Sequence, residues 1–130
     1  MPQPINYLWQ EVLLPTETNG TFSRAFAVPK DAKALTLLVP DLVGAASTLL
    51  LQVADPSTRE QSYDSSATWY GLGVFDLTDG TREALDSIPE NAATTLPVSA
   101  LGSGILRFVA STPQMGAVDA ITVRLIWAMD

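Results

Sequence analysis

The feature that most constrains this chain is the shortness of its apolar runs, each of which ends at a turn-forming residue. The run from Ile5 to Leu14 stops at Pro15, and the run from Lys33 to Val39 stops at Pro40. Short runs bounded by Pro, Gly, Asn or Asp are typical of β-strands, whereas a core helix repeats apolar residues every three or four positions over about ten or more residues. The sequence therefore predicts an all-β protein.

Similar runs lie at residues 21–28, 47–54, 67–77, 104–111 and 121–127. About seven or eight short antiparallel strands, spaced roughly 10 to 15 residues apart, are typical of a β-sandwich, and we expect one of the jelly-roll type. Only two segments are candidates for short helical turns: residues 81–88, and residues 97–101 with Pro97 as the first helical residue. We predict a single domain, residues 1–130, in which residues 1–6 form an extended N-terminal arm.

The segment "ITVRLIW" shows how one strand would divide between core and surface. Alternate side chains of a strand point to opposite faces, so one face carries Ile121, Val123, Leu125 and Trp127 and the other carries Thr122, Arg124 and Ile126. We predict that the first set packs in the core. Trp127 and Trp9 each lie within an apolar run, and both are therefore expected to be core anchors.

Composition excludes several classes of function. The chain has 14 acidic and 7 basic residues, a net charge of −7, and neither histidine nor cysteine. It lacks the clustered cations of a nucleic-acid-binding protein, and without histidine or cysteine it cannot form disulfides, Ser–His pairs or ordinary zinc sites. No apolar run approaches the ~20 residues of a membrane helix. The N-terminus also has no signal-peptide pattern, so we expect a cytosolic protein without a membrane partner.

Candidates for metal or catalytic chemistry are weak. Asp79-Gly80 favours a hairpin turn over a calcium site built from Asp76, Asp79 and Asp86, because the acids do not follow the EF-hand order. A hydrolase could use two carboxylates among Asp55, Glu60, Asp64, Asp76 and Glu83, but acids near turns usually serve the turn itself. The glycines at 71–73 and 102–104 open no helix that could cradle a phosphate. We predict no cofactor, no metal and no enzymatic activity.

Some apolar residues do not fit the alternating pattern. Leu38, Leu50 and Ile126 fall on the side of their strands that should face solvent in a sandwich. Either the pattern is loose or a loop of the same chain covers these residues, or another subunit covers them. Trp69 and Tyr70 are adjacent, so they point to opposite faces and one of them should lie outside the core. That residue could pack under a loop, anchor a protein interface or stack on a sugar.

Several phrases of the sequence, in their order, carry a resemblance to a known group of proteins: "LWQEVLLP", "FAVPKDAKALTLLVP", "TLLLQVADP", "LPVSALGSGILRFVAS" and "ITVRLIW". The chain resembles small β-sandwich structural proteins of tailed-bacteriophage virions, namely accessory or decoration proteins of the head. The resemblance spans most of the chain and includes no catalytic signature.

The resemblance implies a non-enzymatic capsid decoration or cement protein. It would assemble in the host bacterial cytoplasm as a homo-oligomer, such as a trimer, and bind a major capsid protein on the exterior of the head. The interface residues expected on this basis are Pro2, Pro4, Tyr7, Leu38, Leu50, Trp69, Tyr70 and Ile126. The alternative is a carbohydrate- or receptor-binding module of a phage tail or baseplate, which exposed aromatic residues would serve equally well.

Overall fold

The computed structural model describes residues 6–15, 20–44, 47–55, 68–101, 104–114 and 121–130, and their secondary structure is almost entirely β. One turn of 3₁₀ helix, Val98–Ala100, follows the ninth strand. The strands are β1 Asn6–Leu14, β2 Phe26–Ala27, β3 Ala32–Val39, β4 Thr48–Ala54, β5 Trp69–Gly71, β6 Gly73–Asp76, β7 Thr81–Ala84, β8 Ile88–Pro89, β9 Ala92–Pro97, β10 Ile105–Ala110 and β11 Ile121–Met129.

Two antiparallel sheets form the sandwich. The first has the order β1-β11-β3-β9, and the second has the order β2-β10-β4-β5, with β8 also pairing with β4. Successive strands of these sheets lie in alternate sheets, except that β4, β5 and β8 all lie in the second. This is jelly-roll connectivity, in which two sheets are wound from Greek keys. The predicted all-β sandwich is confirmed, and its jelly-roll type follows from the strand order.

The core lies between the two sheets and is built around aromatic rings. Phe26 and Phe108 have ring centroids 5.1 Å apart, and Phe26 and Trp127 have centroids 6.5 Å apart. The indole N–H of the fully buried Trp127 donates to the Gln10 side-chain oxygen at 2.9 Å, which satisfies a polar group that would be costly to bury alone. The predicted inward side of β11 is confirmed, because Val123, Leu125 and Trp127 are buried and Ile121 packs against the core.

The prediction that Trp9 anchors the core was wrong. Val12 and Leu14 are the buried residues of β1, so the side chains of Leu8 and Gln10 share their face and Trp9 points outward. Trp9 is 63% exposed, the second most exposed large apolar side chain after Leu77 in the part of the chain that the structure describes.

The helical turn predicted for residues 81–88 was also wrong. β7 pairs with β6 in register from Gly73↔Ala84 to Asp76↔Thr81, which makes a separate two-stranded hairpin. Gly80 has φ +74°, a left-handed conformation that glycine adopts without steric cost, so the predicted Asp79-Gly80 turn is confirmed. The turn brings residues 81–84 back along β6, and strand pairing overrides their local helical preference.

The 3₁₀ turn at Val98–Ala100 confirms the second predicted helical turn, with one difference. Pro97 has ψ 146°, so it is the extended residue that precedes the turn and not its first helical residue.

A buried polar network fixes the corner between β3 and β4. The Gln114 side chain accepts a hydrogen bond from the Val43 N–H at 2.8 Å and donates to the carbonyl oxygens of Val43, at 3.2 Å, and Thr112, at 3.0 Å. Gln114 and Ser47 are both almost fully buried, and the Ser47 hydroxyl donates to the Val43 carbonyl at 2.6 Å. The corner therefore depends on side-chain hydrogen bonds and not on strand pairing.

Candidate functional site

The outer face of the first sheet is the candidate site, and the strand registers place its side chains in rows. Trp9 lies opposite Ile126, Ile126 opposite Thr36, and Thr36 opposite Thr95. Neighbouring rows follow from the same registers, because residues two apart along a strand share a face. The surface, called here the apolar face, comprises Tyr7, Trp9, Glu11 and Leu13 from β1, Thr122, Arg124, Ile126 and Ala128 from β11, Ala34, Thr36 and Leu38 from β3, and Ala93, Thr95 and Pro97 from β9.

Large apolar side chains stand open to solvent on this face. Trp9 is 63%, Tyr7 53% and Leu13 48% exposed, and Leu38 and Ile126 are half-buried between their neighbours. The outer face of an antiparallel sheet that contacts only water is normally polar. Tyr7 and Trp9 lie in neighbouring rows with Ile126, whereas Leu13 lies beyond the Glu11–Arg124 pair. Exposed apolar surface of this kind is typical of an interaction site.

Charge on the apolar face is limited to one pair. Glu11 and Arg124 are direct cross-strand partners of opposite sign, so the face as a whole is neutral on a chain of net charge −7. Its central polar residues are Thr36 and Thr95, whose hydroxyls hydrogen-bond each other at 2.9 Å. The face therefore combines low charge with internally paired polar groups, which lowers the cost of removing it from water.

The structure places three predicted interface residues, Tyr7, Leu38 and Ile126, together on the apolar face. Leu50 lies on the outer side of the second sheet instead, opposite Val109. Pro2 and Pro4 lie outside the described residues. Sequence reasoning missed Trp9 and Leu13, because "INYLWQEVLL" is apolar on both parities and gives no sign of which side is buried.

A second cluster lies on the outer side of the second sheet, around Arg107. The Arg107 guanidinium carbon lies 4.1 Å from the ring centroid of Phe22 and 4.5 Å from that of Trp69, a cation–π arrangement on both sides. The Arg107 Nε–H also donates to the Gln52 side-chain oxygen at 2.7 Å. This cluster ties β10 to the short edge strand β5.

Trp69 and Tyr70 are adjacent on β5 and therefore point to opposite faces, as predicted. Neither residue belongs to the core. Trp69 is half-buried against Arg107, and its buried indole N–H has no hydrogen-bond partner in the described part of the chain. Tyr70 is 58% exposed at the edge of the second sheet. Because one ring face of Trp69 contacts Arg107, that tryptophan is a poor platform for a sugar.

Asp76 and Asp79 of the β6–β7 hairpin serve its turn. Asp76 Oδ1 accepts the Thr78 N–H at 2.8 Å, and Asp79 Oδ1 accepts the Thr81 hydroxyl at 2.6 Å and the Thr81 N–H at 3.0 Å. These bonds to Thr81, the hydroxyl first, hold the pKa of Asp79 below its usual value. Among the residues that the structure describes, no three acidic side chains cluster as metal ligands. Of the candidate catalytic acids, Glu60 and Asp64 lie outside those residues.

The same hairpin carries further exposed apolar side chains. Val74 is 45%, Phe75 57% and Leu77 89% exposed, and Leu77 lies in the turn. Since Val74 and Phe75 point to opposite sides of the two-stranded ribbon, they do not form one continuous surface. The hairpin is therefore a secondary candidate for contact, behind the apolar face.

The fold and this site define a small jelly-roll domain with an exposed, neutral apolar sheet face. Comparison of the chain with protein-family models, with curated proteins and with solved structures finds no match. The described part of the chain contains no helix long and apolar enough to cross a membrane.

Proposed function

We propose that the protein is a non-enzymatic structural component of a bacteriophage virion. It acts as a capsid decoration protein that binds the major capsid protein on the exterior of the head. The observation that carries this proposal is the apolar face, which offers a surface for protein contact without catalytic groups. Jelly-roll domains occur in viral capsid proteins, which is an argument from fold analogy and adds modest support.

The apolar face can supply the binding energy that attachment to a shell requires. Each Å² of apolar surface removed from water contributes ~25 cal/mol, before the costs of association. Trp9 and Tyr7 are of the residue types that most often dominate interface energetics. Because a particle carries many copies, a modest gain at each contact adds up over the shell.

The charge distribution supports a position outside the shell. A chain of net charge −7 would be repelled by packaged nucleic acid, whereas the neutral apolar face can approach a protein surface without that penalty. The remaining acidic surface would then face solvent and discourage non-specific association between particles.

The test uses particles from the phage whose genome encodes the chain. We expect mass spectrometry of purified virions to detect the protein. Ile126→Glu, which puts a charge at the centre of the apolar face, should then reduce its occupancy on the shell by at least about tenfold, since burying an unpaired charge costs about 2 kcal/mol or more.

Val109→Glu is the matched control, because Val109 is a half-buried β-branched residue at the centre of the other sheet's outer side. It should leave occupancy unchanged. Absence of the protein from virions, or equal occupancy of the two variants when both remain folded by circular dichroism, would overturn the proposal.

One observation favours a second candidate, a carbohydrate- or receptor-binding module of a tail or baseplate. Tyr7 and Trp9 lie two residues apart on one side of an edge strand, and both are more than half exposed, which suits stacking on successive sugar rings. A glycan array distinguishes the two functions. Specific binding that is lost in Trp9→Ala supports the module, and no binding supports the decoration protein.

A further inference from the structure

The free edges of the two sheets differ in how well they are protected against pairing with another chain. In the second sheet the edge strands β2 and β5 have only two and three residues, and in the first sheet β9 ends in Pro97. Short edges and prolines are common devices against edge-to-edge association. β1 has nine residues, and its segment Asn6–Gln10 contains no proline and no charge. Among the described strands, β1 is the edge that lacks these protections.

Backbone geometry identifies which groups of β1 point toward its open edge. The Leu13 carbonyl accepts a hydrogen bond at 3.4 Å from the Arg24 N–H, outside the pairing of β1 with β11. In an antiparallel ladder the N–H and C=O of one residue point to the same side, and alternate residues point to opposite sides. Tyr7 and Trp9 share the parity of Leu13, so their N–H and C=O groups point away from β11.

We propose that Asn6–Gln10 of β1 pairs antiparallel with the same segment of a second copy of the chain, with the two-fold axis at Leu8. Tyr7 of each copy lies opposite Trp9 of the other, and the two residues exchange both backbone hydrogen bonds. The two first sheets join into one continuous sheet, and the two apolar faces lie side by side on it.

The chemistry of the segment favours a second copy as the occupant. A strand that pairs antiparallel with itself satisfies a two-fold axis without further requirement, which is the commonest symmetry of homo-oligomers. The segment is uncharged on a chain of net charge −7, so it is a place where two copies approach with little local repulsion. Cross-strand aromatic pairs on one face stabilise a sheet.

Charge and the available length of β1 also decide where along the strand the two-fold axis lies. An axis at Glu11 would place two carboxylates directly opposite each other, which is unfavourable. It would also involve residues 10–13, which border a groove lined by residues 24–27. An axis at Leu8 uses a part of β1 that lines this groove only at Gln10, and it pairs aromatic with aromatic. The resulting assembly is a dimer and not the trimer expected from the resemblance. The inference does not depend on the virion assignment.

The first test is mass by light scattering after size exclusion over a concentration series. We expect the wild-type mass to reach twice that of the 13.9 kDa chain. Trp9→Pro should return it to the monomer, because proline removes the outward N–H while sparing the bonds to β11. Trp9→Lys should also give a monomer, because a lysine at the edge of β1 opposes pairing with a second strand. This variant keeps the test valid if Trp9→Pro does not fold. The control, Leu77→Lys on the β6–β7 hairpin, should remain a dimer.

A cross-link tests the register. The chain has no cysteine, so any disulfide must come from an introduced residue. At the proposed axis the two Leu8 residues form a non-hydrogen-bonded pair with Cα atoms ~4.5 Å apart, within the range of a disulfide. Leu8→Cys should form a dimer under mild oxidation that a reductant reverses. Asn6→Cys should not, because its two copies would lie about 13 Å apart at ~3.3 Å per residue.

A wild-type protein that stays monomeric at every concentration would overturn the inference. So would a dimer that survives both Trp9 variants, or equal cross-linking of the two cysteine variants. Because the virion test depends on Ile126 and this one on Trp9 and Leu8, dimers that never reach a particle would refute the proposed function alone.

Discussion

Gln114 shows how much one buried polar side chain can determine. It is 1% exposed, and it both accepts the Val43 N–H and donates to the Val43 carbonyl. Gln114→Leu keeps the approximate size of the side chain but leaves the Val43 N–H without its acceptor, while the Val43 carbonyl still accepts the Ser47 hydroxyl. We expect the free energy of unfolding to fall by about 2 kcal/mol, the typical cost of a buried unsatisfied group, as measured by urea denaturation.

The control for that measurement is Ser99→Ala, at an exposed residue of the 3₁₀ turn, which should change stability by no more than about 0.5 kcal/mol. If Gln114→Leu were as mild as Ser99→Ala, the corner between β3 and β4 would be held by its apolar contacts and not by this network.

The turn of the β6–β7 hairpin should depend on pH through the ionisation of Asp79. The Thr81 hydroxyl and N–H bind the ionised carboxylate of Asp79 and lower its pKa. A lowered pKa means that the stabilisation is present above the usual pKa of the group and is lost as the pH falls through the lowered value. Thr81→Val should therefore raise the pKa of Asp79 toward its usual value, as measured by NMR titration of the carboxyl carbon. Thr78→Val, in the same turn, should leave the pKa of Asp79 lowered.

The elements also show where sequence reasoning succeeds. In β11 one parity is uniformly apolar and the other carries Thr122 and Arg124, so the buried side could be assigned correctly from the sequence. In β1 both parities are apolar, and the choice between Trp9 and Leu8 depends on the pairing with β11, which a single sequence does not display. The helical prediction for residues 81–88 was wrong for a similar reason, because residues 81–84 form a strand only by pairing with β6.

The candidate site was predictable only in part. Leu38 and Ile126 could be singled out as apolar residues on the wrong parity, and the structure places both on the apolar face. That Tyr7 and Trp9 extend the same face follows from the register between β1 and β11, a contact between residues more than a hundred positions apart. The Arg107 cluster is likewise a product of tertiary pairing, since Phe22, Trp69 and Arg107 are distant in the sequence.

At the scale of the whole molecule, net charge and apolar association oppose each other. Two copies of charge −7 repel, and salt screens that repulsion within about 8 Å at physiological ionic strength. We expect the proposed dimer to become tighter as sodium chloride is raised, as measured by analytical ultracentrifugation. Weaker association at higher salt would instead mean that ion pairs between the two copies hold the dimer together, and it would contradict pairing through the uncharged segment Asn6–Gln10.

The position of β11 between β1 and β3 has a consequence for the time at which the apolar face arises. Gln10 and Trp127, which meet in the core, are 117 residues apart in the sequence. During synthesis β1 is made early, but its partner in the first sheet, β11, comes last among the described strands, whereas β3 can pair with β9 before β11 is made. Such long-range pairing slows folding. We therefore expect the part of the apolar face on β1 and β11 to arise late in folding, after the other described strands have been made.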